Sequence, residues 1–401
     1  MSQAGKEVLI KSVIQAISTY AMSCFKLPKR LIHELETMIR KFWWGYGNEG
    51  RKIHWVNWKR LCKAKESEGM GFKEIEKFND ALLAKQVWRM MHNTDTLCYK
   101  VFKARFFSNC SIFEANEGTV GSYAWKSILS ARDVVRKGMV WRVGNGQSIS
   151  IREDKWLLDQ VCKTVMLPPH SLPPDAKVCN LIDLESGTWK VDQEQQQFTP
   201  LDAKLILSIL LSAKLPPDCL IWSHKPTGVF TTRSAYKMLA NSALANNASS
   251  SNPNPQKQFW RGLWNLQVPN KVKVFAWRAC NRALPTMDTL IRRHVVDENL
   301  CPVCKMVAED PLHMVLHYTE VEPVWREHGW FSQAISSPPS DFTDLLSRFL
   351  QVTEDNRAEL FICMAWSLWQ RRNKLRIVLP YHPLNQVGPQ ATKFLQDYLD
   401  S

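Results

Sequence analysis

Apolar residues recur at helical spacing along most of this 401-residue chain, and only two stretches alternate as strands do. Residues 6–44 read as two amphipathic helices split at Leu27-Pro28, since proline brings no amide to a helix interior. In the second, Leu31, Leu35, Met38, Ile39 and Phe42 share a stripe flanked by Lys29, Arg30, Arg40 and Lys41. Further helices are predicted over 76–92, with Phe78, Leu82, Leu83, Val87 and Met90 inward, over 201–211, and over 235–239 behind a Ser234 cap. Two more are predicted over 271–283 and 356–376, the last carrying Phe361, Trp366, Leu368 and Trp369. The final twenty residues read as a weakly patterned tail. Alternation predicts one antiparallel hairpin over 141–151 around Gly144-Asn145-Gly146 and another over 222–232 turning at Thr227-Gly228. Residues 160–200 are proline-rich and irregular, and 241–258, rich in Asn, Ser, Ala and Pro, reads as a flexible linker. The expected fold is mainly α with small antiparallel β-hairpins (α+β), in several domains. These are a basic helical region over 1–135, a hairpin-containing region over 136–240, the linker 241–258, a zinc-knuckle-like module over 259–330 and a C-terminal helix and tail over 331–401.

Candidate chemistry is concentrated in one place. The spacing Cys301-x2-Cys304-x8-His313-x3-His317 puts four zinc-type ligands in 17 residues. Two cysteines two residues apart present both thiolates from a tight knuckle, and histidines at i and i+4 share a helix face. Asp310-Pro311 is a helix start, with the acid as N-cap, and Pro323 is expected to end that helix near residue 322. The eight-residue gap is shorter than the roughly twelve of the common two-Cys, two-His finger. Four protein ligands close a tetrahedral site and no His-Glu-x-x-His occurs, so a zinc bound here is expected to be structural. The competing reading is two buried structural cysteines near two unrelated histidines.

Charge adds a second theme. Of the formal net charge of +14, residues 1–150 hold 25 Lys+Arg against 13 Asp+Glu, while the rest hold 27 against 25. Within that remainder, 256–305 carry nine basic and three acidic residues. Clustered cations of this kind fit a polyanion, or simply a solvated face. At 100° per residue Lys271, Arg278 and Arg282 fall within about 40° of one another, beside a stripe of Val272, Ala276, Ala279 and Ala283. The candidate nucleic-acid contacts are therefore Lys271, Lys273, Arg278, Arg282, Arg292 and Arg293, with Arg51, Lys52, Lys59 and Arg60 in the N-terminal region. Trp55 and Trp58 lie among the latter; they either stack on single-stranded bases or pack in the core. The Gly-Asn-Gly turn lacks the Lys-Ser/Thr of a phosphate loop. No run of 18 apolar residues and no signal-peptide core occur, and eleven scattered cysteines suit a reducing compartment, so a nuclear or cytoplasmic protein is expected, with no membrane partner.

The ordered segments Gly5–Lys11, Tyr20–Pro28, Phe42-Trp43-Trp44-Gly45, Lys52–Trp55, Ala81–Gln86, Trp141–Gly146, Asp154–Leu157, Ser234–Tyr236, Trp260–Ala279 and Trp366–Asn373 resemble the region after the polymerase palm in plant LINE-type (non-LTR) retrotransposon reverse transcriptases, including their zinc-binding domain. The resemblance implies a segment that grips RNA or DNA with little sequence preference. It also implies a Cys-x2-Cys…His…Cys zinc module in which Cys301, Cys304 and His313 match three ligands. The fourth position holds Tyr318; either His317 substitutes for the missing cysteine or the site is degraded and empty. The palm aspartates of the family fall before residue 1 and its RNase H carboxylates after 376, where Asp397 and Asp400 stand; no Asp-Asp dipeptide occurs in the chain. A non-catalytic nucleic-acid-binding remnant is therefore expected. The competing expectations are a zinc-stabilised protein-interaction module and a transposon relic without selected function.

Overall fold

The computed structural model describes all residues except 46–52, 117–120, 158–162, 166–171, 184–185, 191–197, 243–254, 299, 319 and 352–354. The chain divides into two compact units, one formed by Met1–Ile17, His33–Glu74 and Ser250–Ser401, the other by Ser18–Ile32 and Ile75–Ser249. Helices dominate, and the described strands form two antiparallel two-stranded sheets, as the mainly α reading anticipated. The segment read as a linker falls largely outside the described residues. No described helix is long and apolar enough to cross a membrane.

In the first unit, the N-terminal helix is not continuous. Gln3–Leu9 passes through a wider π-type turn, Ile10–Ile14, into the short Gln15–Ile17. Trp43, Trp58 and Phe72 are buried together; Phe72 meets Trp43 edge-on at 5.2 Å and lies parallel to Trp58 at 5.8 Å. Tryptophan embedded in a basic stretch is here a packing residue. Asn57 accepts the Lys59 N–H at 2.8 Å and so starts the short helix Trp58–Cys62. Helix Asn270–Cys280 buries the expected stripe of Val272, Ala276 and Ala279, adding Phe275 and Trp277. Around the 20-residue helix Arg357–Arg376, Phe361 stacks on Phe349 at 4.4 Å and Trp325 on Phe331 at 4.2 Å. The expected tail is instead a helix, Val387–Leu399. Val387, Ala391 and Leu395 bury one face, and Phe394 stacks on Trp366 at 5.4 Å. That i, i+4, i+8 stripe is narrow and follows a proline-broken stretch, which hid it.

In the second unit, helix Ile75–His92 buries Phe78, Leu83, Val87 and Met90. Trp125 is fully buried between Phe106 at 4.9 Å and Phe107 at 5.4 Å. Asn79, also fully buried, donates to Met22 O at 2.7 Å and Phe25 O at 2.9 Å and accepts Leu27 N–H at 2.8 Å. It thus satisfies the carbonyls left open where helix Thr19–Cys24 ends before Pro28.

Neither predicted hairpin forms where expected. Strand Met139–Arg142 pairs with the distant Cys219–Trp222, matching Met139 to Trp222 and Arg142 to Cys219. The hairpin that does form joins Ile182–Asp183 to Thr188–Trp189, inside the stretch read as irregular. After Trp222 the chain makes only a closed turn, Trp222 N–H donating to Gly228 O at 2.8 Å. Thr231, rather than Ser234, caps the next helix, Thr232–Ser242, accepting Ser234 N–H at 3.2 Å.

The Gly-Asn-Gly turn has a different task. Its amides converge on one carboxylate, with Gly144 and Gly146 N–H reaching Asp218 Oδ1 at 2.8 and 2.9 Å and Ser148 N–H reaching Oδ2 at 2.8 Å. Gly146 sits at φ +72°, and a Cβ on Gly144 would lie 2.0 Å from Pro216 O. The backbone nest that resembled a phosphate loop is filled by the protein's own anion. Asp218→Ala strands three amides and is expected to cost about 3 kcal/mol. Asp218→Asn keeps one acceptor oxygen and should cost less; urea denaturation of both variants measures the difference.

Candidate metal centre

The knuckle is a small backbone device. Cys301 N–H donates to Val307 O at 2.8 Å, Lys305 N–H to Cys301 O at 2.9 Å, and Leu300 bridges Ala308. Lys305 takes the left-handed φ of +55° that closes the turn. The Met306 and Val307 amides are directed at Cys304 Sγ and, Met306 foremost, hold that thiol below its usual range. Burial pushes Cys301 in the opposite direction. Asp310 Oδ1 accepts the His313 N–H at 2.6 Å, the capping role read from the sequence. The helix does not continue to 322. Its last turn, His313–His317, widens to π geometry and stops, and a separate helix, Glu322–Arg326, begins with Pro323 in its first turn. Proline suits that position because the amide there has no intrahelical partner.

Cys301, Cys304 and His313 converge, their ligand atoms lying within 4.8 Å of one another. Cys304 Sγ and His313 Nε2 are 3.4 Å apart. Two ligands on a tetrahedral zinc, with Zn–S near 2.3 Å and Zn–N near 2.0 Å, stand about 3.5 Å apart, so the donor set fits the ion in chemistry and spacing. His317 is outside this cluster. It is exposed at the end of the helix, its ring centroid 6.5 Å from that of His313. Tyr318, at the family's fourth position, is buried with its hydroxyl donating to Glu320 Oε2 at 3.3 Å. Burial and then the Glu320 charge push its phenol up to about 12, which suits a neutral side chain rather than a ligand.

Behind the cluster lies a residue whose role local sequence does not reveal. Glu309 is buried and takes Arg372 Nε at 2.7 Å, together with Arg372 Nη2 and the Met287 N–H at 3.0 Å. Its carbonyl accepts Asp288 N–H at 3.0 Å. One residue therefore ties the start of the histidine helix to helix Arg357–Arg376 and to the first turn of helix Met287–Ile291. Its partner is 63 residues away, and no periodicity connects them.

The candidate nucleic-acid contacts sort into different environments. Arg278 is turned inward, donating twice to Ala283 O, at 2.9 and 2.7 Å, and to Gln3 Oε1 at 3.1 Å. Burial holds its guanidinium down to about 10. Its angular neighbour on the helical wheel, Lys271, is exposed beside Trp366 and Phe394, at 4.8 and 4.6 Å. Lys273 donates to Trp264 O at 3.0 Å. Arg292 pairs with Asp288 at 2.5 Å, Arg293 donates to Trp55 O at 3.1 Å and Arg60 pairs with Glu68 at 3.1 Å. Arg282 and Lys59 are exposed, and Arg51 and Lys52 lie outside the described residues.

Residues 230–325, a span that includes the whole cluster, match the family described as zinc-binding in reverse transcriptase. The chain is 29% identical over 351 residues to a putative ribonuclease H protein of Arabidopsis thaliana, covering 84% of this chain and 55% of that protein. It is 40% identical over 155 residues to an uncharacterized mitochondrial protein of the same plant, covering 38% of this chain and 98% of that protein. The chain thus spans about half the length of the first relative and nearly all of the second.

Proposed function

Because this chain belongs to the family of reverse-transcriptase-related proteins that carry this zinc-binding domain, we propose that it is a non-catalytic nucleic-acid-binding segment descended from a LINE-type retrotransposon reverse transcriptase. Its Cys/His module holds a structural zinc. The observation that carries this reading is the convergence of Cys301, Cys304 and His313 inside the matched span. His317 supplies the fourth ligand by swinging towards its neighbour on the same helix. Zinc contributes no reaction step; it fixes the knuckle against the helix.

Binding would rest on the exposed cations of the first unit, Lys59, Lys271, Arg282 and Arg293. Arg278 contributes to packing instead. Fluorescence anisotropy with short single-stranded RNA and DNA tests this. Affinity should fall steeply with salt and vary little with sequence. Changing those four cations to Gln should flatten the logarithmic salt slope by roughly 0.7 for each phosphate no longer neutralised. No binding at low salt, or an unchanged slope in the variant, rules the assignment out.

A further inference from the structure

Away from the metal centre, the second unit has a cleft of about 830 Å³ between strand Met139–Arg142, the Trp156–Leu157 segment and the turn after Trp222. A volume of that size accommodates a nucleotide. Its lining includes Lys163, His224 and Lys225 and, among the described residues, no carboxylate. Lys163 is half-buried and held in place: its ammonium donates to Ser223 Oγ at 2.6 Å, and Ser223 in turn donates to Gly138 O at 2.8 Å. The partner of this cation is thus a neutral hydroxyl. Lys225 and His224 are exposed on the turn, whose Gly228 N–H closes onto Lys225 O at 3.0 Å. Burial and then the Lys155 charge hold Lys163 below its ordinary range. Burial and then Lys163 do the same to His224. Lys163 and Lys225 thus face this concave surface with no carboxylate in its described lining, and an anion seated there would balance their charge.

One wall of the cleft is aromatic. Trp141 is half exposed there, its Nε1 tied to Asp154 Oδ1 at 3.1 Å, while the second Asp154 oxygen accepts Ser150 N–H at 2.7 Å. The carboxylate beside the cleft is therefore engaged in fixing the ring. A pinned indole next to unneutralised lysines is suited to a base with its phosphate.

We propose that this cleft binds one nucleotide unit, with Lys163 and Lys225 on the phosphate and the base against Trp141. The inference deepens the nucleic-acid reading above by giving it a second, separate site. Two ligands share this chemistry, a free nucleotide and a nucleotide within a single strand. The test uses the full chain with adenosine monophosphate and, separately, a labelled short single-stranded RNA. The variants are Lys225→Glu, an exposed change that leaves the packing intact, and Lys163→Met with Lys225→Met; circular dichroism verifies folding.

Affinity for at least one probe should drop about 10-fold or more in Lys225→Glu and be restored in Lys225→Arg. Monophosphate binding identifies the free nucleotide as ligand, and binding of RNA alone identifies the strand. If RNA binds the wild type and both variants equally, the cleft assignment falls while the nucleic-acid reading stands. If only the monophosphate binds, and the variants lose it, the cleft stands and the nucleic-acid reading falls. Absence of binding to either probe removes both.

Discussion

Arg372→Met is expected to destabilise the unit carrying the metal centre by about 3–5 kcal/mol, the range for breaking a buried ion pair from one side. The side chains of Arg372 and Glu309 are 7% and 2% exposed, so the variant leaves a carboxylate charge with no access to water. The pair itself is not the source of the effect. Taking both charges out of water offsets much of their attraction, so Glu309→Gln with Arg372→Met should recover a large part of the loss. Glu309 also accepts the Met287 and Asp288 amides, through its carboxylate and its carbonyl respectively, so the single variant should loosen the start of the histidine helix too. Guanidinium denaturation of both singles and the double gives the coupling energy. An Arg372→Met midpoint close to that of the native chain would show that the pair is hydrated in solution.

Much of the helical architecture was legible because its signals are local. The 75–92 helix, the Asn270–Cys280 stripe and the Arg357–Arg376 helix are each uninterrupted by proline or glycine and rich in apolar residues at helical spacing. The strands were not. Met139–Arg142 alternates and is followed by a turn sequence, yet its partner lies about eighty residues downstream. The glycines that suggest a hairpin are needed because backbone passes close to Pro216 and wraps Asp218. Turn chemistry shows that the chain bends, not which strand it then meets. The metal centre divides in the same way. The Cys-x2-Cys spacing and the Asp310 cap are local, and Cys301, Cys304 and His313 come together while His317, the fourth residue of the pattern, lies outside their cluster. Lys271 and Arg278 share an angular sector, but Arg278 bonds the carbonyl of Ala283, where the helix has ended. Wheel angle fixes direction, not whether the neighbouring surface is solvent.

Zinc removal should give the largest local effect in the molecule. The knuckle has almost no apolar core of its own: Val303, Met306 and Val307 are 40%, 82% and 50% exposed, and of its two cysteines Cys301 alone is buried. The few backbone bonds that close this left-handed turn cannot offset the entropy of ordering its residues, at about 1–2 kcal/mol each, without a further constraint. A zinc bound to two thiolates would supply it, since metal binding at such sites is folding free energy. The helix Arg357–Arg376 is held instead by the Phe331, Phe349 and Phe361 cluster and needs no metal. Chelation of the zinc-loaded full chain should therefore abolish amide-exchange protection over 301–308 and weaken it over 313–317, leaving 357–376 protected. Native mass spectrometry should find one zinc per chain, absent in Cys301→Ser. In His317→Ala zinc affinity should fall by more than the roughly 10–100-fold that loss of an outer-shell partner costs. Full zinc affinity in that variant would assign the fourth position to water or another donor. Unchanged protection of 301–308 after complete zinc removal would mean that backbone hydrogen bonds alone hold the knuckle, and the structural role of the metal would be lost with it.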